Sequence, residues 1–405
     1  MCSVQSREKL EMKILFVHDI LGSLGGAETN VLATAQAFAR LGHEVGLLAQ
    51  RPSGKGECPW HDRFERNLFW MNNEPAVAVA RRFRADAIYM HKCERLPVVE
   101  SLLRGEAPIV RMVHDHDLHC LRTYRYNPVT RHICTRPAGS HCVFPCMAPL
   151  KRNRGGLLPF RWASFAEKQH ELALSRRFHR NIVATEFMKN ELVINGFDPA
   201  RIAICPPVPR PAEPLKSTFS DRNLLVFAGQ VIRGKGVDVL LRALAKVRSP
   251  FEAMILGDGN HRDTCKKLSR RLGLEDRVTF KGFIPHTDLQ DFYREASAVL
   301  VSSVWPEPMG LVGLEAMRNG LPVVAFDAGG IREWLRDGEN GFLIPWMDTS
   351  LYARMIDILL ADKELARAMG ARGFARFERD YNFTDYIARL DDLFTRVAAE
   401  RRCVA

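Results

Sequence analysis

The sequence predicts an α/β protein made of two Rossmann-like domains, each a doubly wound parallel sheet, facing a central cleft. Three observations lead there. A strand, a glycine-rich turn, a helix and a second strand follow one another from Lys13 to Ala49, and a strand, glycine loop and helix come again from Leu224 to Val247. Between them, Pro206-Pro207-Val208-Pro209-Arg210-Pro211 makes a stiff boundary. At 405 residues the chain has ample core for two such units.

Hydrophobic residues at 46% and charged residues at 26% fit a globular protein. No apolar run approaches the roughly 18 residues of a spanning helix. The Ile14–Val17 run is too short for a secretory signal, so a cytoplasmic location is expected. Charge is lopsided. Residues 1–215 carry 30 Lys/Arg against 21 Asp/Glu, and no acid occurs between Leu118 and Ala166. Such a field favours anionic partners.

In the first half, Lys13–His18 reads as a strand, the loop after it holds Gly22, Gly25 and Gly26, and residues 27–40 show helical spacing. The loop does not fit G-x-G-x-x-G, and no acid ends the next strand, Glu44–Ala49, so a dinucleotide site is not expected. Asp86–His91 and Pro108–His114 read as further strands, the second delivering His114 at its end. Cys120, Cys134, Cys142 and Cys146 follow as C-x13-C-x7-C-x3-C. Four thiolates so close together suit a structural zinc or an iron–sulfur cluster in a segment poor in aliphatic residues. Residues 151–180 are basic, with Leu157, Leu158, Phe160, Trp162 and Phe165 interleaved, which suits either a helix on an anionic membrane or a solvated helix. Nucleic acid is not an expected partner, because no recognition motif accompanies the charge. Strands follow at 181–184 and 202–205.

In the second half, the strand Leu224–Phe227 leads into Gly229-Gln230-Val231-Ile232-Arg233-Gly234-Lys235-Gly236. This nearly matches a P-loop, but Gly236 replaces the Ser/Thr that would hold Mg²⁺, which argues against an NTPase. Phe251–Leu256 reads as a strand ending in Gly257, and Arg277–Gly282 and Ala298–Ser302 as two more. Then comes the stretch around which the site is organised, Val304 to Met317. Pro306 and Pro308 bracket Glu307 and forbid helix there, while Gly310 onward is helix-compatible, with Leu311, Leu314 and Met317 on one stripe. Free amides at that helix start suit a pyrophosphate, and carboxylates on either side suit hydroxyls of a sugar and a ribose. Glu315 is expected about two turns into the helix.

Glu307 and Glu315 also form an E-x7-E pattern. With Gly229–Gly236, Gly329–Glu333 and Asn340-Gly341 in the same order, the chain resembles the retaining glycosyltransferases of family 4, which have the GT-B fold. The resemblance covers about residues 12–50, 108–115 and 180–400. It implies that Glu307 contacts the donor sugar, Glu315 holds the ribose, and Lys235 neutralises the departing diphosphate. The Arg usual after the first Gly is Gln230 here, and Arg233 is the candidate to reach in instead. Gly25-Gly26-Ala27-Glu28 would face the donor phosphates and acceptor, and His114 would point into the cleft. Gly229, Gly257, Met309, Gly310 and Leu311 complete the donor-binding set.

The expected domains are therefore 1–210, an acceptor domain with a Cys-rich basic insert at about 116–165; 216–380, a nucleotide-sugar donor domain; and 381–405, a helix crossing back to the first. The implied reaction moves a sugar from a nucleotide diphosphate sugar to a glycan or lipid-linked acceptor, at the inner face of a membrane, without a catalytic metal. The alternatives are a GT-B epimerase or hydrolase and a non-catalytic basic binding protein.

Overall fold

The computed structural model describes residues 11–22, 25–127, 129–152, 160–208, 219–285 and 288–402. The expected boundary at 210–216 falls outside them, as do Leu157 and Leu158 of the basic stretch.

The strands are β1 (Lys13–Leu21), β2 (Glu44–Pro52), β3 (Leu68–Trp70), β4 (Ala87–Met90), β5 (Ile109–Met112), a hairpin of β6 (Leu150–Arg152) and β7 (Phe160–Trp162), then β8 (Arg180–Val183) and β9 (Ile202–Ile204). Seven of them form one parallel sheet ordered β3-β2-β1-β4-β5-β8-β9. The second sheet holds β10 (Leu224–Ala228), β11 (Glu252–Leu256), β12 (Val278–Gly282), β13 (Ala298–Val301), β14 (Val323–Phe326) and β15 (Gly341–Ile344). Its order is β12-β11-β10-β13-β14-β15, again all parallel. Continuous apolar strands such as Leu224–Ala228 and Val323–Phe326 are buried at every residue, as a sheet covered by helices on both faces requires.

Each sheet reverses its winding beside its first strand, between β1 and β4 and between β10 and β13. The loops leaving neighbouring strands diverge there and open a crevice at their carboxyl ends. That topology positions the site.

The final helix, Phe383–Arg402, packs on the first sheet's helix Gly26–Arg40 and on β4. Phe394 meets Phe38 and Tyr89 edge-on at 5.6 and 4.9 Å, and His43 Nε2 lies 2.7 Å from Asp391. The chain's two ends thus share one apolar core.

Two local expectations differ from the structure. The basic stretch is not one helix: β6 and β7 pair antiparallel, and the helix is confined to Phe165–Ser175. Ser164 caps the helix start by accepting from the Glu167 amide. Glu315 lies four residues after Leu311, the first residue of the helix Leu311–Arg318, and so just over one turn in. The strand β3 and the helices Cys58–Phe64, Ala76–Phe83 and Leu96–Leu103 were not legible, being at most eight residues long.

Candidate active site

Lys235 leaves the loop after β10 and Glu307 the loop after β13, the two strands that flank the second sheet's switch point. Lys235 Nζ lies 2.6 Å from Glu307 Oε1. Ser303 Oγ donates to the same oxygen. Glu307 is only 3% exposed, so these donors satisfy a carboxylate held away from bulk water. Lys235 Nζ also sits 5.2 Å from the centre of the Trp305 ring.

Backbone contacts lock both loops. Gly234 O accepts from the amides of Val304 and Trp305 at 2.8 and 3.1 Å. Gly236 has φ +67°, and a Cβ there would stand 2.0 Å from Ser302 O. Glu307 bridges Gly329, donating its amide to Ala328 O at 3.1 Å and accepting from Gly330 N at 2.7 Å. Gly229 and Gly257, both at φ +146°, pack backbone on backbone at the ends of β10 and β11. Gln230 and Arg233 are exposed, and Arg233 donates to Val129 O of the insert at 3.4 Å.

The helix Leu311–Arg318 starts at Gly310, whose φ of +84° turns the chain out of the proline-bracketed loop. Met309 is buried, and its carbonyl accepts from Trp334 Nε1 at 2.6 Å. A Cβ on Gly313 would lie 2.0 Å from the Trp334 ring, so glycine lets that ring pass beneath the helix. Glu315 accepts from the buried Tyr293 hydroxyl at 3.0 Å.

The first domain meets this helix from the other side. Gly25 caps the helix Gly26–Arg40, and a Cβ on Gly26 would stand 3.4 Å from Leu311 Cδ1. His114 lies two residues beyond β5, with Nε2 2.9 Å from His91 Nδ1 and the rings stacked at 5.2 Å. Burial, then the neighbouring His18, pushes His114 down to about 4, and burial pushes His91 well down too. Both are neutral imidazoles at neutral pH. Glu28 carries its carboxylate 3.5 Å from His18; burial is the largest single influence and raises its pKa, but His18, its own backbone amide and His114 together lower it.

Sequence reasoning missed several groups that join the halves. Thr185 Oγ1 donates to Pro308 O at 2.8 Å. Glu333 accepts from the amides of Glu186 and Phe187, each at 2.9 Å, capping a first-domain helix from the second domain. Arg131 of the insert pairs with Asp238 through both guanidinium nitrogens at 3.2 and 2.7 Å. Of these, only Glu333 was part of the sequence reading, as the end of the Gly329–Glu333 element.

Among the described residues, three potential metal-ligand atoms come within 4.8 Å of one another only at His116, His119 and Glu191. The four cysteines are free thiols that do not form such a set. Cys134 Sγ accepts from Arg125 Nη1 at 3.5 Å, and Cys142 Sγ lies 3.7 Å from His141 Nε2. Burial raises the Cys142 thiol, and Cys120, Cys146 and Cys134 raise it further.

Two doubly wound parallel sheets, each with its own switch point, make the two-domain architecture of the GT-B fold. The structure superposes on HepE of Anabaena, solved in complex with UDP and glucose, with a TM-score of 0.70 at 19% identity over 95% of this chain and all of that one. It superposes likewise on sucrose-phosphate synthase of Thermosynechococcus elongatus, with a TM-score of 0.71 at 19% identity, covering 96% and 100%. Residues 24–208 match the family model described as Glycosyltransferase Family 4, and residues 210–376 that of Glycosyl transferases group 1. The chain belongs to this family of glycosyltransferases. Similar relatives include a D-inositol 3-phosphate glycosyltransferase of Streptomyces scabiei, 32% identical over 194 residues, or 45% of this chain and 43% of that protein. The lipopolysaccharide core biosynthesis glycosyltransferase LpsE of Rhizobium meliloti is 33% identical over 156 residues, 38% of this chain and 45% of its own. The matched stretches thus span less than half the length of these relatives.

Proposed function

We propose that the chain transfers a sugar from a nucleoside-diphosphate sugar to a hydroxyl of a glycan or lipid-linked acceptor, with retention at the anomeric carbon. The observation that carries this is the Lys235–Glu307 pair, set at the switch point beside the start of the helix Leu311–Arg318. The bond from the anomeric carbon to the diphosphate breaks, the acceptor oxygen bonds on the same face, and the acceptor's proton passes to the departing diphosphate. Lys235 and the first helix amides stabilise the charge that grows on the diphosphate. Glu307 orients the sugar, Glu315 takes the ribose, and His114 faces the reacting sugar from the first domain. The neutral His91–His114 pair carries no charge that would compete with Lys235 for the phosphates.

HepE is a structural neighbour solved with UDP and with UDP-glucose, which supports a uridine donor. The relative named for lipopolysaccharide core supports a lipid-linked acceptor, and those named for inositol 3-phosphate support a small phosphorylated one. No helix among the described residues is long and apolar enough to cross a membrane. Phe144, Met147, Leu150 and Trp162 are exposed within the acid-free segment, which suits peripheral contact with anionic lipid.

The test is UDP binding by calorimetry, together with UDP release from UDP-glucose with and without phosphorylated or lipid-linked acceptors. Binding of UDP and acceptor-stimulated release support the proposal. Release that no acceptor stimulates would favour a hydrolase, and binding of none of UDP, GDP or ADP would overturn a donor site here.

A further inference from the structure

The Cys-rich insert opens with a buried relay of side chains that ends on the loop carrying Glu307. His116 and His119 are both fully buried. His116 Nε2 lies 2.8 Å from Pro306 O, and because a carbonyl only accepts, Nε2 carries the proton. Nδ1 is then the acceptor, 3.1 Å from His119 Nε2, which also lies 3.3 Å from Glu191 Oε2. Arg125 Nε completes the chain by donating to Glu191. Glu191 Oε2 already meets both the Arg125 guanidinium and His119 Nε2, so hydrogen bonds account for this cluster as a relay. The His116 ring also meets Trp305 edge-on at 5.9 Å, on the indole over which Lys235 lies. One first-domain side chain therefore touches the two residues immediately before Glu307.

We propose that His116 is a positioning residue for Glu307: by donating to the Pro306 carbonyl, it fixes the backbone from which Glu307 meets Lys235. The proline bracket restricts that loop but gives it no donor of its own at position 306. His116 supplies the missing anchor, in a single tautomer, because burial and His119 keep its ring neutral with a pKa of about 3. The inference rests on the assignment of Glu307 to the donor site, and it gives the insert a part in that site.

The test compares His116→Gln with His116→Asn. A glutamine amide can reach the place of Nε2 and still donate to Pro306 O, whereas an asparagine amide reaches only the place of Nδ1. Two readouts are taken on the full-length chain. The first is acetylation of Lys235 by an N-hydroxysuccinimide ester, followed by peptide mass spectrometry, which reports the Lys235–Glu307 pair whatever the reaction. Labelling is expected to rise at least about threefold in the Asn variant and to return to wild-type rates in the Gln variant. The second is UDP-glucose turnover, where kcat is expected to fall about tenfold in the Asn variant with KM unchanged. Equal labelling of wild type and both variants would overturn the proposal. A wild type that turns over no nucleotide sugar would sink the proposed reaction, while the labelling comparison would still decide the role of His116. Should either variant unfold, hydrogen exchange at the Trp305 and Glu307 amides in His119→Gln, which perturbs the relay one bond further back, gives the same decision: faster exchange supports the anchor and unchanged exchange overturns it.

Discussion

Lys235 and Glu307 are 72 positions apart in the sequence and 2.6 Å apart in the fold. They meet because β10 and β13 are neighbours in the sheet, so the loops leaving them share one crevice. Replacing Lys235 by Met leaves the buried carboxylate with the Ser303 hydroxyl as its described side-chain donor. Urea denaturation should show a loss of about 1–3 kcal/mol. UDP-glucose turnover should fall roughly a hundredfold or more, the usual cost of one transition-state donor. Undiminished turnover would remove Lys235 from the chemistry.

Gly329→Ala should be worse than a positive φ alone explains. Gly329 and Gly338 have similar angles, +69° and +74°. A Cβ at 329 would stand 2.5 Å from Glu307 O, whereas one at 338 meets nothing within 4 Å. Both alanines should cost about 1 kcal/mol in strain, but only the first should cost more and also depress turnover. Matching losses in the two variants would mean that Gly329 does not hold the Glu307 loop.

Glu315→Gln keeps an acceptor for the Tyr293 hydroxyl while removing the negative charge. The fold should survive, with a melting temperature close to wild type. UDP affinity should drop about tenfold, or about 1.4 kcal/mol, in a calorimetric titration. Unchanged affinity would place the ribose elsewhere.

His114 gives a pH prediction of definite sign. Its pKa is about 4 in the fold, below the ordinary 6.5, so between these values the unfolded chain binds more protons. This group's contribution to stability therefore rises with pH through that window and is fully restored above about 6.5. His114→Asn should flatten the stability profile between pH 4 and 6.5, by at most roughly 3 kcal/mol across the window. Parallel profiles for wild type and variant would show that His114 is not held neutral.

Phe144 and Trp162, 77% and 65% exposed, are the most exposed aromatic side chains among the described residues of the acid-free segment. Phe144→Ser with Trp162→Ser should weaken the affinity for phosphatidylglycerol vesicles, read by co-sedimentation, about a hundredfold or more, since burying each ring contributes about 1.5–3 kcal/mol and about 1.4 kcal/mol is a factor of ten. Binding of wild type should weaken with added salt and be slight on phosphatidylcholine. Equal sedimentation of wild type and variant would rule out this face as the membrane contact.

What the sequence determined by itself is what depends on neighbours along the chain. Runs such as Leu224–Ala228 and Val323–Phe326 are legible as buried strands because each is short, apolar and bounded by turn residues. Gly310 and the prolines around Glu307 mark a loop and a helix start for the same local reason, and with Glu315 they carry the family resemblance. The tertiary structure alone decided which of these pieces face one another. Nothing in the spacing places His91 against His114, sets Glu333 over the amides of Glu186 and Phe187, or brings His116 to Pro306 O. Those contacts follow from strand order at the two switch points and from the packing of one domain on the other. The basic stretch shows the same limit: composition made it amphipathic, but pairing Leu150 with Trp162 made it a hairpin, because a partner strand satisfies backbone groups that a helix would have bonded internally.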